Sequence, residues 1–254
     1  MRKTHLAVAV LGAITAMSSS ARADEPPNLK GRMYLGIERM TGFGYTSATR
    51  TTALSATQST VDTQSAFNLN LFGGSTYYSL AGAPLSFAAP RLAFDVNILS
   101  FLTVGLAAYL SWGSFRESRN GVSPTETTHL FGFGLAPRVG VTVPIGDRLI
   151  FWGRAGLTYS RLGSGNPTRV NAGVTTDSSS YESLLWVNVE PTLLVKLVEH
   201  VSIGATLVVD LPVAGALGRS STVTLPTGTT TTTSSSDDLS AWNVGLQLGL
   251  TAWF

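Results

Sequence analysis

Cysteine is absent, charge is scarce, and no apolar run past the N-terminus is long enough for a helix to cross a membrane. The missing cysteine excludes a disulfide scaffold, a thiolate metal site and a cysteine nucleophile. Charged residues make up 13% of the 254 residues, about half the share of an ordinary soluble domain. Disorder is excluded too, because 44% of the chain is hydrophobic. Histidine is nearly missing as well, with only His129 and His200 beyond residue 5. General-base chemistry therefore has few candidates.

The N-terminus carries what a secretory signal needs. Arg2 and Lys3 precede an apolar run from Leu6 to Met17, and Ala21-Arg22-Ala23 is a small-x-small cleavage site. Residues 1–23 are expected to be the signal and residues 24–254 a single barrel domain. Cleavage there leaves 14 basic against 15 acidic residues, so no electrostatic case for a nucleic-acid partner survives.

What the rest of the chain does have is a period of two. Leu102, Val104, Leu106, Ala108, Leu110 and Trp112 face one way, with small or polar residues between them. The dyad recurs around Leu35–Phe43, Leu92–Val96, Phe131–Val143, Leu149–Tyr159, Leu185–Leu197, Val201–Leu211 and Trp242–Phe254, which makes eight strands. Connections alternate between short turns (98–100, 145–148, 198–200) and long loops (46–87, 113–128, 162–180, 214–239). This is the layout of an all-β, up-and-down antiparallel transmembrane barrel with long extracellular loops and short periplasmic turns. Gly73-Gly74 between Phe67–Leu71 and Thr76–Leu80 suggests a hairpin above the membrane, with a ten-stranded barrel as the alternative. Ser220–Ser236, rich in Ser and Thr, reads as a solvated mobile loop or a glycosylated one.

The non-apolar face decides which way the barrel is turned. It is mainly Gly, Ala, Thr, Ser and Asn, which suits a crowded lumen rather than water, so the apolar face looks into lipid. From Trp242 to Phe254, at ~3.3 Å per residue and ~40° tilt, the last strand spans roughly 30 Å with an aromatic at each end. The pattern assigns eight charges inward: Glu38, Arg91, Asp95, Arg138, Arg154, Glu190, Lys196 and Asp210. Their equal signs point to a closed ion-pair network that plugs the lumen, with a partner-swapping gate and a proton-transfer site as alternatives.

Motifs for chemistry are thin. His129 with Thr127 and Thr128 is the one candidate base at the loop end, and no serine stands two residues beyond it, where Phe131 is found. Gly132-Phe133-Gly134 lies within a strand pattern and not before a helix, so it is no phosphate loop. Asp237-Asp238 is read as the end of a flexible loop with, at most, weak cation affinity. No catalytic, cofactor or metal residues are assigned, and no cofactor is expected.

Phe254 ends a row with apolar residues at every second position before it, Trp242, Leu250 and Ala252 among them. This ending resembles the C-terminal signal read by the barrel-assembly machinery. The eight-strand layout and inner ion pairs resemble the OmpA transmembrane domain and OmpX among the small outer-membrane barrels of Gram-negative bacteria. Pro90–Asp95, Pro137–Gly140 and Leu250–Phe254 resemble an uncharacterised group of such barrels. The resemblance implies a monomer in the outer membrane, in contact with its lipids and lipopolysaccharide, and supplies no activity. Likeness to OmpW-type conduits is weaker, because the inferred lumen is charged. The functional expectation is a structural or surface-interaction role, with a narrow conduit and a lipid-modifying enzyme as alternatives.

Overall fold

The computed structural model describes residues 29–54, 58–70, 89–117, 126–171 and 173–254. The expected signal and the Gly73-Gly74 turn lie outside the described residues. Among the described residues nine strands form one antiparallel sheet: β1 (Met33–Ala53), β2 (Ser59–Asn70), β3 (Arg91–Asn97), β4 (Leu102–Glu117), β5 (Glu126–Ile145), β6 (Leu149–Asn171), β7 (Val174–Val198), β8 (Val201–Thr224) and β9 (Thr230–Trp253). β9 pairs back onto β1, from Tyr34↔Trp253 to Thr51↔Asp238, and closes the ring.

The ring has eight positions. β2 and β3 share one of them, because both run antiparallel along the same side of β1. β3 pairs with Met33–Glu38 and β2 with Gly42–Ala53. Phe67 thus lies beside Tyr45 and Leu69 beside Phe43, with the Phe43 and Phe67 rings 6.0 Å apart. This segment was expected above the membrane; its described end pairs as far down β1 as Gly42, below the level of the Tyr45–Trp242 ring pair. Cross-strand pairing with β1 gives Phe67 and Leu69 apolar neighbours on the outer face, and that sets their depth.

The outer face carries the apolar rows. Leu110 is 68% exposed, Trp112 78% and Leu92 61%, a pattern that water would penalise and hydrocarbon would not. Trp242, Leu250, Ala252 and Phe254 share the outer row of β9, while Trp253 turns inward. At the short-turn end, Met33 and Phe254 exchange backbone hydrogen bonds of 3.2 and 3.0 Å, so the two ends of the barrel domain meet.

Two expected loops are strand. β6 and β7 continue as a ladder to Asn171↔Val174, and β8 and β9 to Thr224↔Thr230. The Ser/Thr segment 220–236 is a β-hairpin, and Thr222/Thr232 and Thr224/Thr230 pair their hydroxyls across it at 3.1 and 3.3 Å. Threonine is β-branched and prefers the extended chain, so a polar composition does not by itself make a loop. β9 is 24 residues long, about twice what a crossing requires. β6 to β9 therefore stand as a four-stranded wall well above the lipid.

Candidate functional site: the closed lumen

The lumen is filled in layers. Nearest the short turns, Tyr34, Trp152, Leu194 and Trp253 form an apolar plug, with the Tyr34 and Trp152 rings 5.0 Å apart. Higher up, Ala48, Leu184, Trp186, Leu239 and Ala241 form a second. The inward face was expected to be mostly small. These bulky residues fit because glycines face them: a Cβ on Gly140 would press on the Trp152 indole at 2.7 Å and the Arg154 stem at 2.9 Å.

Between the plugs lies a layer of charge. Arg138 binds two carboxylates at once. Its Nη1 and Nη2 donate to Glu38 at 2.6 and 2.9 Å, and its Nε donates to Asp95 at 2.9 Å, with a second short contact from Nη2 to Asp95. Asp95 and Arg138 sit on strands that are not neighbours. They meet across Gly105 of β4, which pairs with both and has no side chain to separate them. Arg154 donates to Glu38 and to Thr192, the latter at 3.1 Å, and lies 3.4 Å from Glu190. Its guanidinium also rests over the Trp152 ring at 4.5 Å, where the π-face favours a cation.

The other half of the layer is built on Arg39, which is not among the eight charges assigned inward from the sequence; strict alternation along β1 would turn it to lipid. Three residues of β1, Glu38 to Met40, oppose the single Gly249 of β9 between Ile37↔Leu250 and Thr41↔Leu248. Arg39 sits in this bulge with φ of 55°, and the kink turns its side chain inward beside that of Glu38. It is 3% exposed and forks onto Asp210 at 3.0 and 3.1 Å and onto Glu190 at 2.7 Å. Asp210 also accepts from the Asn188 amide and, at 3.1 Å, from Asn243. A signal was available: an arginine at mid-membrane on a lipid face costs ~2–4 kcal/mol, so an apparent one should prompt a search for a bulge.

Arg91 completes the layer more loosely, 3.8 Å from Glu190 and 3.4 Å from the Thr158 hydroxyl. Glu38, Arg91, Asp95, Arg138, Arg154, Glu190 and Asp210 thus come together. Lys196 does not: it is half-buried near the short turns, and no ion pair among the described residues includes it. With Arg39 in its place, the layer holds four arginines and four carboxylates.

Above the upper plug, Arg50 and Asp237 pair inward, with Nε to Oδ2 at 2.8 Å. Asp237 is therefore a strand residue held by arginine, and Asp238 faces out, so the two carboxylates do not converge on a cation. Glu182, buried on the inner face of the wall, has its pKa raised to about 8 by loss of solvent. His129 is on β5, opposite Gly165 and Ser114, and His200 hydrogen-bonds the Trp253 carbonyl at 3.1 Å in a short turn. Among the described residues no group of three His, Cys, Asp or Glu could hold a metal ion.

No family model matches the chain, and no curated protein does. Solved structures of outer-membrane barrels are similar to it. The protease OmpT of Escherichia coli is 11% identical over 92% of this chain and 99% of its own, with a TM-score of 0.41. OprG of Pseudomonas aeruginosa is 11% identical over 90% and 99%, with a TM-score of 0.43. Ail, the attachment invasion locus protein of Yersinia pestis, is 11% identical over 89% and 99%, with a TM-score of 0.37. At these scores the likeness decides nothing about activity, and the barrel is read from its own closed ring and two faces.

Proposed function

We propose that the chain is a non-conducting barrel of the bacterial outer membrane that holds a strand-built wall at the cell surface, in a structural or surface-contact role. One observation carries this reading: the lumen is stopped at three levels, while β6 to β9 continue far beyond the lipid. A conduit would need a polar path, and both plugs are apolar. Their residues include Trp152 and Trp186, each fully buried. The outward row ending in Leu250, Ala252 and Phe254 suits handling by the barrel-assembly machinery, and the apolar band suits a monomer in contact with outer-membrane lipids and lipopolysaccharide.

Two measurements test the proposal. Purified barrel in planar bilayers should show no stepwise conductance above background; steady channels in the unmodified protein would overturn the sealed lumen. Cells expressing the full chain should differ in surface attachment or aggregation from cells whose barrel lacks residues 221–235. Equal behaviour, with equal surface amounts of both proteins, would remove the role of the wall.

A further inference from the structure

Arg91 is 2% exposed, yet its guanidinium is poorly served by the protein. Among the described residues its Nε and Nη2 have no hydrogen-bond partner, and neither has Nε of Arg154. Three guanidiniums approach Glu190 without reaching close hydrogen-bond distance, Arg91 at 3.8 Å, Arg138 at 3.7 Å and Arg154 at 3.4 Å. Buried N–H groups left in this state are costly, and polar gaps of this width are the usual place for a bridging water. A cavity lies at the spot. Its polar lining is Arg91, Arg138, Arg154, Asn188 and Glu190, the β5 and β6 segments 136–137 and 155–156 complete it, and its volume is about 10 Å³. That is about the room one water needs, and the lining supplies more than the two to four polar partners such a site requires.

We propose that this cavity is the binding site of a single buried water that joins Arg91 and Arg154 to Glu190. The unserved groups are all donors, so the occupant must accept hydrogen bonds. A water accepts two, from Arg91 and Arg154, and returns its own protons to acceptors such as the Glu190 carboxylate. A halide would accept equally well, but it would add a charge to a layer whose four cations and four anions already cancel, beside a carboxylate. Desolvation makes that uncompensated charge the worse choice. The water thus does for Arg91 what Asp95 does for Arg138, and Arg91, with two unserved N–H groups against one on Arg154, relies on it most.

The test is a high-resolution structure of the intact barrel grown with sodium bromide, with data collected at the bromine edge. The expected result is one peak without anomalous signal, ~2.7–3.2 Å from Arg91 Nη2 and from Glu190. An anomalous peak at that position would make the site an anion site. No peak, with Arg91 bonded directly to Glu190, would abolish it. In solution, an Arg91 Nε–H resonance in the lipid-reconstituted barrel should show cross-relaxation to a long-lived water, and its absence would count equally against the proposal. Arg91→Met should lose the peak while the protein still changes gel mobility on heating. Should that variant fail to fold, the unmodified protein still decides.

Discussion

Replacing Arg138 by alanine tests the charge layer most directly. The substitution removes a fork held by Glu38 and Asp95 inside a lumen where Arg138 itself is buried. Glu38 keeps Arg154, so its loss is partial. Asp95 is buried and has ion-pair contact only with Arg138 among the described residues, so it becomes a carboxylate with no cation. Breaking a buried pair from one side typically costs about 3–5 kcal/mol, because the remaining charge keeps its desolvation penalty. The double variant Arg138→Met with Asp95→Leu removes both charges and should recover at least half of that loss. The assay is urea unfolding of the lipid-folded barrel, followed by tryptophan fluorescence and by the heat-dependent gel shift, at protein-to-lipid ratios where refolding is reversible. A loss below about 1 kcal/mol for the single variant would refute the reasoning, as would a double variant no better than the sum of its parts.

Other outcomes follow from the same geometry. Gly105→Ala places a methyl against the Asp95 carboxylate and should cost about 1–3 kcal/mol in the same titration, since overpacking displaces the carboxylate that Arg138 grips. Arg39→Met should cost more than Arg91→Met, because Arg39 forks onto Asp210 and Glu190 while Arg91 touches Glu190 only at 3.8 Å. Glu182 has a folded pKa of about 8, above its ordinary 4.5, so the folded wall binds the extra proton. Its contribution should be fully present at low pH and lost as pH rises from about 4.5 through 8, read as faster amide exchange in β7. Glu182→Gln should flatten that dependence. Removing residues 221–235 should leave the heat-dependent gel shift intact, because those residues lie beyond both plugs.

Much of the fold was legible because lipid on one side and a crowded lumen on the other force an alternation that survives without any alignment. Wherever that two-sided contrast held, as in Leu102–Trp112 or Trp242–Phe254, the faces could be assigned. Above the membrane both faces meet water, so Ser179 or Thr232 can point either way at no cost, and the strands of the wall leave no periodic trace. Arg39 was hidden for a different reason. Its bulge inserts two residues, an even number, and Leu35–Ile37 and Thr41–Phe43 stay in phase on either side of it. Lys196 followed the parity of its strand correctly but lies too near the short turns to reach the layer. The aromatic plugs were obscured because Trp152 and Trp186 lie among outward apolar residues, where their own direction is easily overlooked.

The four-to-four balance of the layer also bears on how the protein meets an electric field. Moving one unit charge through a full 100 mV drop is worth about 2.3 kcal/mol, which is how voltage opens proteins with unbalanced charge in a membrane. Four guanidiniums and four carboxylates held at nearly one height present no net charge to such a drop, and the field can act only on their small mutual offsets. The charge layer by itself therefore gives a transmembrane voltage almost nothing to act on. A variant stripped of one arginine would carry a lone charge on which voltage could pull.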